Sequence, residues 1–340
     1  MANYKVTAAQ VAAHAGVSKA AVSRVFNPGR SVSPMLADKV TRAAEELGYS
    51  PNLLARSLSL GRTRMIGLIV PYLYNQYYAE VLEQISLAFQ AENYRVLVFV
   101  LPKTASAIES VVEDLLRYRV DGLIVASVVM SSQLAERCTE AGVPILLFNR
   151  VEDHGTFPSV TSDNLRGGRL AARHLLSLGH RCIGYIAGWE DASTQRDRES
   201  GFREELGKQG IELAARGVGN FMREDAEKAA LAMFDTPDRP SAVFVANDFM
   251  AFAAMDVLRH KLGLHVPHDV SVIGFGDIAM SAWPSYDLST VRQATGKMVS
   301  RAVSMLLEMI EEQTEVTTSI VVPNTLVARS STGAFEKADT

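Results

Sequence analysis

The sequence predicts a small all-α head, joined by a hinge to a large two-lobed α/β body with parallel sheets. Three observations point there. Residues 7–47 space their apolar positions at helical intervals and hold no strand-like run. From Met65 onward, short and near-continuous apolar runs alternate with amphipathic stretches, the pattern of parallel strands buried on both faces. Charge divides along the same line: residues 1–64 carry nine Lys and Arg against three Asp and Glu, an excess of +6, so the remainder holds −10 of the overall −4. A basic segment on an acidic body is a sign of an arm that binds a polyanion.

Breaks at Gly16, Val17 and Ser18, and again across residues 27–30, divide the head into three short helices. The third opens with Ser33 as N-cap and Pro34 at its first position, and stops at Gly48. Pro51 then opens a short helical segment that ends before Gly61, which makes 1–49 the head and 50–62 the hinge. Strands are expected at 65–70, 95–101, 121–126, 144–148, 182–187, 241–246 and 270–275. A late set, 290–292 and 319–322, follows the last clear strand–helix pair. So many strands call for two lobes with strands crossing between them. Within 63–335 the first lobe takes about 63–162 and 293–320, and the second about 163–290 and 321–335. Residues 336–340 are a polar tail, and the C-terminal stretch has no leucine heptads to support a coiled-coil tetramer.

Composition narrows the class. Apolar content of 48% and charged content of 21% exclude a disordered or fibrous chain. The start has no apolar run behind a basic flank, and no later run approaches the roughly 18 apolar residues of a membrane span. The expectation is a soluble, cytoplasmic protein with no membrane partner. Cys138 and Cys182 are too few for a zinc ligand set or a disulfide framework and are expected as reduced, buried thiols. The seven histidines form no metal-spaced set, so no metal or cofactor is expected; His14, beside Gly16, is expected in solvent.

The first helical pair has the requirements of a helix-turn-helix. Two helices cross closely only with a small residue in the first (Ala12), a turn residue tolerant of positive φ (Gly16) and a branched apolar residue facing back (Val22). Thr7 and Ser18 are placed as N-caps, and Val11, Val17, Val22 and Val25 supply a shared core. The second helix would enter the major groove with Lys19, Ala20 and Arg24 toward base edges. Lys19 and Arg24 suit guanine and Ala20 a thymine methyl, although both cations equally suit phosphates. Ser23, Asn27, Ser31 and Ser33 would position the backbone.

The stretch from Val6 through hinge and first strand to Pro71 resembles the N-terminal signature of the lactose/galactose repressor family. The resemblance continues through Tyr77 to Glu80, Asp121 to Ile124, Asn164 with Gly167 and Gly168, Leu178 to His180, Arg198 with Gly201 and Phe202, Val245 to Asp248, and Val270 to Gly274. It implies a transcriptional regulator, in the main a repressor, that binds a pseudo-palindromic operator as a homodimer. Its body would resemble a periplasmic binding protein, with a small-molecule effector, a carbohydrate by resemblance, held between the lobes. By position, Leu58 would be a minor-groove wedge with Ala55 beside it and Asn52 near the backbone, unless Leu54 and Leu58 simply cover apolar surface. The effector residues carry over as Tyr77, Tyr78, Asn149, Arg198, Phe221 and Asn247, types suited to a polyol. One departure is visible: where the family often has an acidic residue after Phe275, this chain has Gly276 and then Asp277. Either Asp277 takes over from a shifted position or the effector lacks the hydroxyl pair such a carboxylate grips. Trp283, next to Pro284, is read as lobe or dimer packing rather than a stacking platform.

Two other classes share parts of this pattern. A solute-binding protein would share the lobes but not the basic helical head. A doubly wound enzyme would need a phosphate loop, and neither G-x-G-x-x-G nor G-x-x-x-x-G-K-[ST] occurs.

Overall fold

A computed structural model of the chain describes residues 6–26, 31–50, 62–101, 106–128, 132–152, 157–312 and 318–335. The chain divides into two compact units, Met1–Thr63 and Arg64–Thr340. Asn27, Asn52, Ala55, Leu58 and the tail at 336–340 lie outside the described residues.

In the first unit, three helices form, the first two with side-chain caps at their starts and the third with Pro34 at its first position and Gly48 at its end. Helix α1 (Ala8–His14) begins with a capping box: Thr7 Oγ1 accepts from the Gln10 amide, and Gln10 Oε1 accepts from the Thr7 amide at 2.8 Å. Helix α2 (Lys19–Val25) begins at Ser18, whose hydroxyl accepts from the Ala21 amide at 3.1 Å. Helix α3 (Pro34–Leu47) differs from expectation in one respect, since Ser33 occupies the N-cap but its side chain makes no capping bond. Gly16 adopts φ +57°, as the tight turn requires. Val11, Ala12, Ala15, Val22, Val40, Ala43 and Ala44 close a core of their own. His14 is only half exposed, with Nε2 2.7 Å from Glu46 Oε2, which clips α1 to α3.

The second unit holds two six-stranded sheets, each flanked by helices to form a lobe. The first lobe runs β1 (Met65–Val70), α4 (Gln76–Ala91), β2 (Arg95–Val100), α5 (Ser106–Tyr118), β3 (Gly122–Ala126), α6 (Ser132–Glu140), β4 (Ile145–Phe148) and β5 (Ser159–Ser162). The chain then crosses into α7 (Asn164–Ser177), β6 (Ile183–Ala187), α8 (Ser193–Gly207), β7 (Ala215–Val218), α9 (Arg223–Phe234), β8 (Ala242–Val245), α10 (Asp248–Asp256), β9 (Ser271–Gly276) and β10 (Ser289–Arg292). It returns through α11 (Thr295–Glu312) and β11 (Ser319–Val322), and crosses once more to β12 (Thr325–Val327). The first sheet, β11-β5-β4-β3-β1-β2, is parallel throughout; the second, β12-β10-β9-β8-β6-β7, is parallel except for β12 against β10. The strands β1, β3, β4, β6, β8 and β9 are buried almost end to end, as their continuous apolar runs require.

Three details correct the sequence reading. The last crossover follows Val322, because β11 pairs with β5 over Ser319 to Val322, so 321 and 322 belong to the first lobe. Strands β5, β7 and β12 were not expected, since the first two read Ser-Val-Thr-Ser and Ala-Arg-Gly-Val and lack apolar continuity. Cys138 is buried, and burial pushes its thiol up, whereas Cys182 is exposed just ahead of β6.

The tightest packing is where α7 crosses α8. A Cβ on Gly168 would fall 2.1 Å from the Arg198 carbonyl oxygen, and one on Gly201 would fall 1.9 Å from that of Leu165. Backbone cannot yield as a flexible side chain can, so neither site accepts a methyl. Gly201→Ala is expected to lower the free energy of unfolding by ~1–3 kcal/mol, seen as a lower urea midpoint by circular dichroism. An unchanged midpoint would mean that the two helices can separate at no cost.

Candidate functional site

On α2, Lys19, Ala20, Ser23 and Arg24 are all exposed and, at successive and i,i+4 spacing, share one face. Val22 points the other way, into the head's core. Thr7 and Ser18 use their hydroxyl oxygens as caps, and Ser31 and Ser33 are exposed at the approach to α3. The arrangement presents two cations and small polar groups on a short, rigid helix supported from behind.

The second unit holds a cavity of ≈ 670 Å³ bounded by both lobes. Its walls are built from the C-terminal ends of the parallel strands: Tyr72 follows β1, Ser127 follows β3, Asn149 follows β4, Trp189 follows β6, Asn247 follows β8, and Gly276 closes β9. Such strand ends are where open α/β sheets place ligands.

Six expected residues meet here: Tyr77, Tyr78, Asn149, Arg198, Phe221 and Asn247 all line the cavity. Tyr77 and Tyr78 lie edge to face at 5.4 Å, and burial pushes both phenols up. Asn149 adopts φ +56° and donates from Nδ2 to Ser127 Oγ at 3.0 Å. Phe221, also at positive φ, sets its ring so close to Gly188 that a Cβ there would lie 2.1 Å from a ring carbon. Asn247 caps α10, accepting from the Met250 amide at 2.9 Å, which leaves its amide nitrogen as a donor.

Arg198 lies at the base of the cavity, 3% exposed. Its Nε donates to Asn164 Oδ1 at 2.9 Å and its Nη1 to the Ala246 carbonyl at 2.6 Å, while the guanidinium carbon sits 3.7 Å over the centre of the Phe275 ring. Burial lowers its pKa to about 10, which still leaves it charged at neutral pH. Three lining side chains, Tyr77, Asn149 and Gln293, each bury a polar oxygen without a hydrogen-bond partner. Buried polar atoms are normally paired, and unpaired ones converging on a cavity mark where ligand groups complete the network.

Asp277 does not join them. Its carboxylate is held between Arg292 Nε and Arg329 Nη2, the latter at 2.7 Å, and the cavity is lined at this point by Gly276 instead. Trp283 is half exposed and likewise absent from the lining. Sequence reasoning missed Asp248, Arg150, Trp189 and Gln293. Asp248, 1% exposed, accepts from Thr290 Oγ1, Ser281 Oγ and the Ile278 amide; burial pushes its carboxyl up despite these donors. Arg150 donates to the Asp191 carbonyl at 3.0 Å and lies 5.2 Å over the Trp189 ring. The available signal was position, because Arg150, Trp189 and Gln293 each stand one or two residues beyond a strand end.

Hydrogen bonds join the lobes on both sides of the cavity. On one rim the Val151 amide donates to Ser193 Oγ at 3.2 Å beside the Arg150 bond. On the other, the Ala279 and Met280 amides donate to Glu80 Oε1 and Gln76 Oε1 on α4, at 3.0 and 3.3 Å.

Residues 7–52 match the model for bacterial regulatory proteins of the lacI family, and 172–332 match a periplasmic binding protein-like domain. The chain is 31% identical over 328 residues to the HTH-type transcriptional repressor PurR of Pasteurella multocida, covering 96% of this chain and 98% of that protein. The chain belongs to the lacI family of regulators. Among solved structures it is similar to a lac repressor dimer bound to operator and the anti-inducer ONPF, with TM-score 0.86, 30% identity, and coverage of 97% of this chain and 100% of that one. It is also similar to a complex of the regulator CelR with cellobiose, with TM-score 0.73, 30% identity, and coverage of 96% and 100%. A lacI-family regulator is a DNA-binding protein controlled by a small molecule rather than an enzyme, which accounts for an exposed reading helix and an enclosed cavity in one chain. No helix among the described residues is long and apolar enough to cross a membrane.

If the carboxylate of Asp277 serves the arginines and not the ligand, Asp277→Asn should leave ligand affinity by calorimetry unchanged while lowering thermal stability. A loss of affinity at full stability would return Asp277 to the site.

Proposed function

We propose that the chain represses transcription in the cytoplasm as a homodimer, each subunit setting one head on half of a pseudo-palindromic operator, under the control of a carbohydrate effector. The observation that carries this reading is the conjunction of an exposed, capped helix bearing Lys19 and Arg24 with a cavity whose walls come from two lobes. Residues 1–49 serve as the reader, 50–62 as the hinge, and the two lobes as the sensor. A single head contacts few base pairs, whereas two heads about 34–36 Å apart on a duplex multiply specificity and match a two-fold dimer.

In the reader, Lys19 and Arg24 donate to guanine edges and Ala20 packs on a thymine methyl, while Thr7, Ser18, Ser23, Asn27 and Ser33 take backbone phosphates. Leu58, with Ala55 beside it, acts at the minor groove, where an inserted leucine bends the duplex, and Asn52 lies near the backbone. In the sensor, Tyr77, Tyr78 and Asn149 hold the effector from one lobe and Arg198, Phe221 and Asn247 from the other. A ligand that bonds to both lobes favours one lobe angle, and rim contacts such as Glu80 with Ala279 favour the same closed form. Coupling is reciprocal: whatever factor the effector applies to operator affinity, typically ~5 to 150-fold, the operator applies to effector affinity.

Selection of binding sites from a random duplex pool by the full chain tests the reading, with one pseudo-palindrome expected. Arg24→Ala should relax preference at one position of each half-site. Equal weakening on every sequence would make Arg24 a phosphate contact, and recovery of no consensus at all would remove the regulator reading.

A further inference from the structure

We infer that Asn164 is a positioning residue that couples the cavity to the joint between the lobes; its part in an effector response rests on the cleft being the effector site. Asn164 is the first residue of α7, just past the crossing from β5, and is 3% exposed. Its side-chain amide bonds in two directions. At the base of the cavity Oδ1 accepts from Arg198 Nε at 2.9 Å, while Nδ2 donates to the Ser162 carbonyl at 2.9 Å and to Thr161 Oγ1 at 3.3 Å, on the last residues of β5. The amide has one orientation that satisfies both sides, because a guanidinium Nε only donates and a carbonyl only accepts. Arg198 belongs to the second lobe and β5 to the first, so one planar group joins the cavity wall of one lobe to a strand of the other.

A change of lobe angle turns the backbone where the chain crosses, and the bond from Asn164 to Ser162 spans the first crossing. A shift of Arg198 finds no slack elsewhere. The Arg198 carbonyl packs on Gly168 and the Leu165 carbonyl on Gly201, so α7 and α8 move as one body. A second crossing, between β11 and β12, is tied to the same place. Asn324 Nδ2 donates to the Asp163 carbonyl at 2.9 Å, the Asp163 amide donates to the Val322 carbonyl at 2.9 Å, and Arg166 Nη1 donates to the Asn324 carbonyl. A Cβ on Gly167 would lie 2.5 Å from the Phe275 ring and 2.6 Å from Asn324 Nδ2, and that ring is the one beneath Arg198. Arg198, Phe275, Asn164 and Asn324 thus pack around one point at two of the crossings, and a ligand that displaces the guanidinium displaces the joint.

Asparagine suits this place because it offers an acceptor and a donor on one rigid plane. Aspartate has the same shape and two acceptors, so it keeps the bond to Arg198 and sets an oxygen against the Ser162 carbonyl. Asn164→Asp therefore cuts the side facing the joint and spares the side facing the cavity.

Pulsed electron resonance distances on the full-length chain test the inference. One nitroxide goes on Cys182, exposed in the second lobe, and one on Gln90→Cys, exposed on α4 in the first; Cys138 is buried. Excess unlabelled chain keeps one labelled subunit per dimer. Without ligand, the labelled parent is expected to give one narrow distance, and folded Asn164→Asp a broader distribution or one displaced by more than about 2 Å. Arg198→Lys, which removes the Nε donor, should act in the same direction, and the double variant should add nothing further. Additive changes, or a distribution in Asn164→Asp that matches the parent, overturn the coupling. If Asn164→Asp does not fold, Thr161→Val, which removes one acceptor of the same amide, carries the test; a smaller change is expected, and an unchanged distribution overturns the coupling. These readings are made without ligand and so stand apart from the cleft reading. Adding D-ribose, D-galactose or cellobiose to the parent tests that reading, and no response to any of them counts against the cleft and not against Asn164. A response that persists in full in Asn164→Asp overturns the coupling, and one that is lost there supports it.

Discussion

Much of the second unit is arranged around one electrostatic necessity, the burial of the Arg198 guanidinium on neutral hydrogen-bond acceptors. A charge taken out of water is tolerated only when its hydrogens find acceptors and its neighbours are held in place. Here the acceptors are the first residue of α7 and the residue after β8, and the floor is the ring at the end of β9. The first of these is in reach only because α7 and α8 cross at two glycines, where backbone meets backbone. The helix packing and the binding chemistry are therefore one constraint.

The fold was legible in the sequence wherever a buried strand reads as an unbroken apolar run, as at Met65–Val70 or Ser271–Gly276. It was not legible where a strand is short and carries Ser, Thr, Arg or Gly, because hydrogen-bond partners brought from distant sequence make those segments strands. The pairing of Ser159 with Ser319 joins residues that no local pattern connects.

The site was legible to a similar depth. Tyr77, Asn149, Arg198 and Asn247 followed from the resemblance, and they meet in space. Asp277 misled because adjacency in sequence says nothing of direction: the residue after a glycine at positive φ turns its carboxylate toward two arginines from later in the chain. Asp248 and Gln293 were invisible for the complementary reason, since their roles depend on neighbours that only the folded chain supplies.

The crossing of the chain between lobes also sets an order of assembly during synthesis. The first sheet begins at Met65, yet its margin beside β5 is completed only by Ser319–Val322, near the end of a 340-residue chain. Throughout translation of the whole second lobe, the ribosome carries a nascent first lobe with β5 as an uncovered edge, the kind of surface that pairs with other chains. The serines and threonine that hid β5 from sequence reading suit that interval, because a short polar strand is a poor template for aggregation. The described core of the head, by contrast, is drawn from residues between Val6 and Tyr49, so it can close soon after it emerges.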